Sequence, residues 1–142
     1  MTTFEADYNQ QVIAEFRANE GQVGGGFAGA PLLLLHHIGA HSGGARVAPL
    51  MYLTVNNSYA VFASNAGKDT HPAWFHNLRA HPRVNIELGA ATIAVSARVA
   101  DEEERAPIWD RQKQLYPGFA DYEAGTSRQI PVVLLERTPP AG

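Results

Sequence analysis

The 142-residue chain contains no cysteine. That removes a disulfide framework, a thiolate nucleophile and any cysteine-ligated metal or iron–sulfur site. Positive charge is also scarce, with 11 Lys and Arg against 14 Asp and Glu and a net charge of −3. Neutralising a phosphate backbone takes a basic surface, so nucleic acid is not an expected partner. No stretch approaches the roughly 18–20 apolar residues of a membrane span. The N-terminus, Met-Thr-Thr-Phe-Glu-Ala-Asp, has neither a basic n-region nor a long apolar run, which argues against secretion and for the cytoplasm. What remains is the composition of a soluble globular protein, 45% hydrophobic and 18% charged. The length suits a single domain over 1–142.

The first segment reads as a helix over about residues 3–19. Thr2 and Glu5 have capping-box spacing, and Phe4, Tyr8, Val12 and Phe16 recur every four residues. Such a stripe packs on its own domain, on a partner subunit or peripherally on a membrane surface; basic residues are too few for a strong interfacial helix. Gly21 to Gly29 holds five glycines. Without a following Gly-Lys-Ser/Thr it is no Walker loop, and with a helix before it and a strand after it, it is no dinucleotide fingerprint. It is expected to be a close-packed connection.

From Pro31 the chain reads as β. Pro31–Ile38 is one strand, its leucines buried on both faces. Arg46–Val55 is a second, turning through Asn56-Asn57 into Tyr59–Ser64. Val84–Leu88, Thr92–Ala100 and Ile130–Arg137 complete six strands, with Gly89 between the first two. Few helices and no regular βαβ alternation point to an antiparallel barrel, mainly β with flanking helices (α+β). The tail over 138–142 reads as frayed.

Between strands, Thr70 is a candidate helix cap, with Pro72 in the first turn, Trp74, Phe75 and Leu78 facing inward and Pro82 as the stop. His71, His76 and His81 are five apart, about 140° around a helix, and do not share a face. His36 and His37 alternate across a strand. No metal is expected. Asp101-Glu-Glu-Glu-Arg places acid at the positive end of a following helix, whose core face is Ile108, Trp109 and Leu115; Pro107 is tolerable only if the regular turns begin there. Tyr116, Phe119 and Tyr122, three apart, form either a wall for a flat substrate or part of the core. No nucleophile elbow is present.

The most informative stretch is Gly39-Ala-His-Ser-Gly-Gly-Ala-Arg-Val-Ala-Pro-Leu50. Its three glycines let backbone N–H groups converge into an anion nest that Ser42 and Arg46 would complete. A flexible hairpin loop is the alternative.

Several motifs recur in order: Asn9…Glu15-Phe-Arg-Ala-Asn, Gln22-Val-Gly-Gly, Leu33-Leu-Leu, Gly39-x-x-Ser-Gly-x-x-Arg-x-x-Pro-Leu50, Ala63-Ser64, His71-Pro-x-Trp-x-x-Asn-Leu78 and Arg128-x-Ile-Pro-Val-Val-x-Leu135. The set resembles the deazaflavin-dependent nitroreductase and quinone reductase family, which uses coenzyme F420, over nearly the whole chain. The resemblance implies a split β-barrel of the FMN-binding-protein type, with the deazaflavin in a groove. It puts the tail-binding loop on Ala40, His41 and Ser42, with Arg46 beyond. Ring-binding backbone falls on Val47, Ala48, Pro49, Leu50 and Met51, on Phe62, Ala63, Ser64 and Asn65, and on Ala73, Trp74, Phe75, His76 and Asn77. Substrate-side hydroxyls and aromatics fall on Ser64, Tyr116, Phe119 and Tyr122. Relatives often carry basic residues where this chain has Ala40 and His41, which predicts a weaker or pH-dependent grip, falling as pH rises past about 6.5. Phe119 lacks the hydroxyl of some relatives, which counts against efficient nitro reduction.

A deazaflavin itself supplies the hydride, so no nucleophile, metal or cysteine is needed. The expected activity is reduction of a flat, electron-poor acceptor such as a quinone, nitroaromatic or enone. Ser64 Oγ would hydrogen-bond the acceptor oxygen and Tyr122 would orient or protonate it. Two rivals are an FMN-using relative and a carrier that binds the cofactor without turnover. A homodimer is expected.

Overall fold

The computed structural model describes residues 4–22 and 31–138. The elements run α1 (Phe4–Ala18), β1 (Leu32–Ile38), β2 (Ala45–Met51), β3 (Leu53–Val55), β4 (Ser58–Phe62), a 3-10 turn (Asn65–Gly67), α2 (Ala73–Ala80), β5 (Arg83–Leu88), β6 (Ala91–Val99), α3 (Glu102–Leu115), α4 (Gly118–Ala124) and β7 (Val132–Arg137). The strands form one curled antiparallel sheet in the order β2-β1-β5-β6-β7-β4-β3, the expected split barrel.

Alternation along the strands builds the core on both sides of the sheet. Leu33 and Leu35 of β1, Tyr59 and Val61 of β4, Ile86, Val95, Val133 and Leu135 face one way, and α2 closes over them with Trp74, Phe75 and Leu78. The opposite face of β1, Leu32 and Leu34, is covered by Val12, Ile13 and Phe16 of α1. Ala60, Phe62, Val132 and Leu134 lie under Ile108, Trp109 and Phe119 of α3 and α4. Burial on both faces explains the four consecutive leucines of β1. Outside, Arg17 of α1 grips Glu87 of β5 through both carboxylate oxygens, at 3.1 and 2.7 Å.

Several expectations need correcting. The single strand expected over Arg46–Val55 is two, broken at Tyr52. Met51 pairs with Leu32, whereas Leu53 pairs with Ala60 at the far end of the sheet. Consecutive chain therefore joins the two outermost strands, and Tyr52 N–H, released from the ladder, donates to Pro31 O at 3.2 Å. Thr70 does not cap α2. Pro72 holds that position in an extended conformation without a side-chain capping bond, and Thr70 O instead accepts from Asn65 Nδ2 at 3.0 Å. Helix α3 starts at Glu102, where Asp101 and Glu104 form a reciprocal capping box, so Pro107 sits inside the helix. Leu115 is 47% exposed, and Gln112 takes the buried place expected for it. Neither Gln112 amide atom has a partner among the described residues.

The two-residue turn at Asn56-Asn57 forms, with Asn56 at φ +54°. Gly21 is close-packed: a Cβ there would lie 2.9 Å from Gly89 Cα. The rest of the glycine-rich stretch, Thr2 of the expected capping box and residues 139–142 lie outside the described residues.

Candidate functional site

The turn between β1 and β2 is compact. Gly39 N–H donates to Gly44 O and Gly43 N–H to Gly39 O, both at 2.9 Å, and Ser42 Oγ accepts from Gly44 N–H at 3.2 Å. A Cβ on buried Gly39 would run into Ser42 Oγ and come within 3.5 and 3.6 Å of Arg46 Nε and Nη2. The Ser42 hydroxyl thus packs directly on Gly39, with the Arg46 guanidinium close by. This arrangement suits an anionic group such as a phosphate. Ala40 lies half-buried in the turn and His41 is exposed on it, so Arg46 is its permanent cation.

The turn is anchored from below. Ala40 N–H donates to Asn77 Oδ1 at 2.9 Å, and the Asn77 amide nitrogen lies 2.9 Å from His37 Nδ1. A backbone N–H can only donate, so the amide atom facing it is the oxygen. The other is then the NH2, and His37 Nδ1 must accept. Buried His37 is therefore neutral, with its proton on Nε2. Burial first, then Arg46 across the strand pair and His36 beside it, push its pKa down to about 4. Asn77, expected to serve through its backbone, acts here through its side chain. His37 was given no role by the sequence, and nothing local to it signals one. His36 turns the other way, to Glu87 at 2.7 Å.

Strand β2 is an outer strand of the sheet, with Val47, Ala48, Pro49, Leu50 and Met51 half-buried. Among the described residues no strand pairs with its outward edge, so alternate N–H and C=O groups there can meet a flat heterocycle's polar rim. Pro49, which donates nothing, is tolerated because the strand is an edge.

The second half of the site is the segment after β4. Ser64 is 9% exposed and opens the 3-10 turn without capping it through its side chain. Asn65 follows at φ +48°. Gly67, at φ +80°, lies so close to α4 that a Cβ would come within 3.1 Å of Tyr122 Cα and Tyr122 O. This backbone contact packs the turn that Ser64 opens against α4. Tyr116 and Tyr122 are half-buried, but Phe119 is core: its ring packs on Phe62 at 5.7 Å, Trp109 at 6.1 Å and Tyr122 at 5.4 Å. Tyr116 and Tyr122 pack half-buried against the same core cluster that contains Phe119. Phe62, Ala63, Trp74 and Phe75 are likewise buried, whereas Ala73 and His76 are exposed on α2.

Among the described residues, no cluster of three His, Asp or Glu has metal-holding geometry, and no helix is long and apolar enough to cross a membrane. A cavity of about 260 Å³ opens between α2 and β6, sharing only Phe75 with the expected ring-binding set.

Residues 8–137 match the family model described as F420H(2)-dependent quinone reductase. The chain belongs to this family. Rv3178 of Mycobacterium tuberculosis (strain ATCC 25618 / H37Rv), itself named for the family, is 39% identical over 115 residues, covering 80% of this chain and 97% of that one. A solved F420-H2 dependent reductase, FDR-A, is 37% identical with a TM-score of 0.68, over 75% of this chain and 94% of that one. A structure described as a domain-swapped dimer is 34% identical with a TM-score of 0.70, over 89% and 93%. The protein is accordingly an F420H2-dependent oxidoreductase, with coenzyme F420 as its cofactor.

Proposed function

We propose that this reductase passes a hydride from reduced F420 to a flat, electron-poor acceptor, with quinones first and nitroaromatics and conjugated enones as further candidates. When bound, the reduced deazaflavin supplies the hydride; a quinone that accepts it also takes one proton and leaves as the hydroquinone. The protein's tasks are to hold the tail, orient the ring and stabilise negative charge growing on the acceptor oxygen. Arg46 and Ser42 hold the anionic tail, the open edge of β2 reads the ring, and Ser64 Oγ hydrogen-bonds the acceptor oxygen. Tyr122 orients or protonates that oxygen and Tyr116 flanks it. The observation that supports this reading is the Gly67–Tyr122 contact, which packs the turn after Ser64 against α4, the helix that carries half-buried Tyr122. The chain works as one split-barrel domain in the cytoplasm, and the domain-swapped relative supports a homodimer.

Titration with F420 and FMN, followed by absorbance with menadione as acceptor, tests the reading. Preferential F420 binding and oxidation of reduced F420 are expected; tight binding without turnover would leave a carrier. Ser64→Ala should lower kcat/KM by about 10²-fold, the usual cost of one charge-stabilising donor. Full retained activity would strip Ser64 of its role. Arg46→Gln should weaken F420 binding by roughly ten- to a hundredfold, as a charge-assisted hydrogen bond is worth about 1.5–3 kcal/mol. Isothermal calorimetry at two salt concentrations reads the loss, which shrinks as salt rises if it is electrostatic.

A further inference from the structure

The chain between α4 and β7 carries Arg128, a residue of the ordered motif set that the reading above leaves without a task. Its guanidinium is half-buried and makes three contacts with the segment that leads from β4 to α2. Nε donates to Lys68 O, Nη2 donates to Ser64 O, and Nη1 lies against His71 Nδ1, each at 2.9 Å. A guanidinium has only donors, so His71 Nδ1 must accept. That leaves His71 neutral with its proton on Nε2. Burial first, then Arg128, His76 and Arg79, depress its pKa, in keeping with the neutral form. The His71 ring rests on Phe75 at 4.7 Å, next to the exposed face of α2.

The same segment is tied down elsewhere by neutral or peripheral contacts. Thr126 Oγ1 donates to Asp69 Oδ1 at 2.8 Å, and Gly67 abuts Tyr122. Gly67 N–H also donates to Ser64 O, at 2.9 Å, so Arg128 adds a second, charged donor to a carbonyl that the turn already engages. With Asp69 engaged by Thr126, the hydrogen bonds of Arg128 go to carbonyl oxygens and an imidazole rather than to a carboxylate. A charge committed in this way spends its hydrogen bonds on fixing backbone positions.

We propose that Arg128 is a positioning residue of the reductase: it fixes Ser64 for the acceptor and locks His71 in the tautomer that presents Nε2–H. The proposal rests on the reading of Ser64 as the acceptor-side hydroxyl. Lysine cannot replace it, since one ammonium cannot span three acceptors in a fixed plane.

The test compares wild type, Arg128→Ala and Arg128→Lys. Both variants should lose about 10²-fold in kcat, the scale of a misplacement near 1 Å, with the Kd for F420 changed by no more than about twofold. Added guanidinium ion should restore part of the Arg128→Ala rate, and ammonium should not. Nitrogen-15 NMR of wild type without cofactor should show His71 protonated on Nε2 alone, with a tautomer mixture in Arg128→Lys. An Nδ1 proton on wild-type His71, or unchanged kcat in both variants, overturns the proposal. If Arg128→Ala does not fold, Arg128→Lys and the tautomer carry the test. If wild-type His71 shows the expected tautomer but Ser64→Ala turns over normally, the reading of Ser64 has failed while the Arg128 lock stands.

Discussion

Asn77→Leu should lower the free energy of unfolding by roughly 2–4 kcal/mol, because two buried polar groups lose their partner at once. These are Ala40 N–H and His37 Nδ1, both bonded to one amide. Leucine keeps the branching and the number of side-chain heavy atoms, so the loss is hydrogen bonding rather than a cavity. The freed turn should also weaken F420 binding, since Gly39, Ser42 and Arg46 hang from the same anchor. Urea denaturation measures the first effect and calorimetry the second; an unchanged denaturation midpoint would mean that the amide does not hold the turn.

Asn77→Asp separates the two bonds. A carboxylate still accepts from Ala40 N–H, but it requires a proton on His37 Nδ1, which nitrogen-15 NMR at neutral pH would detect. The wild-type pair has the opposite acid response. Its imidazole pKa is depressed from about 6.5 in the unfolded chain to about 4 in the fold. Its contribution is therefore complete above about pH 6.5 and is lost as pH falls through 4, roughly 3 kcal/mol in all. In Asn77→Asp the neighbouring carboxylate raises the imidazole pKa, so this acid-linked loss should shrink. A wild-type stability that stays flat between pH 7 and 4 would contradict the buried neutral imidazole.

Gly67→Ala is the second large effect. At φ +80° an L-residue already costs about 1–2 kcal/mol, and its Cβ would press at 3.1 Å on the Tyr122 backbone. Backbone atoms cannot swing aside as a side chain can. The 3-10 turn must separate from α4, or the strain must be borne in place. A total loss of about 2–4 kcal/mol is expected, together with a fall in kcat larger than the fall in F420 affinity, because the damage lies on the acceptor side. Thermal melting and steady-state kinetics measure the two, and equal falls in kcat and affinity would show that the turn serves the whole site.

The Gly39–Leu50 turn could be read from the sequence because its chemistry is local: glycines, a hydroxyl and a cation within one hairpin. The aromatic spacing of Tyr116, Phe119 and Tyr122 was visible too, but which rings face outward depends on how α4 rolls onto Phe62 and Trp109. Asn77 and Arg128 stood inside recognisable motifs, yet their bonds reach back to Ala40 and Ser64 across 37 and 64 residues. No local pattern encodes such a pairing. The break at Tyr52 was hidden for a different reason. Leu50-Met-Tyr-Leu53 is continuously apolar, with no glycine or proline at the corner, because both flanking strands are half-buried. Gln112 and Leu115 exchanged places because the helix phase was set by apolar character, and an amide occupies the inward position.

The joining of the two outermost strands at Tyr52 has a kinetic consequence. The hairpins β1–β2, β3–β4 and β5–β6 link chain neighbours and can form early. The contacts of β1 with β5 and of β4 with β7 await the closure of long loops, which is the slow part of folding such a sheet. Asn77 reaches Ala40 on the β1–β5 side of the sheet and Arg128 reaches Ser64 on the β4–β7 side, so a chain with those pairings still open should lack both anchors. F420, binding the finished barrel alone, draws the last step of folding toward completion and leaves the earlier ones untouched.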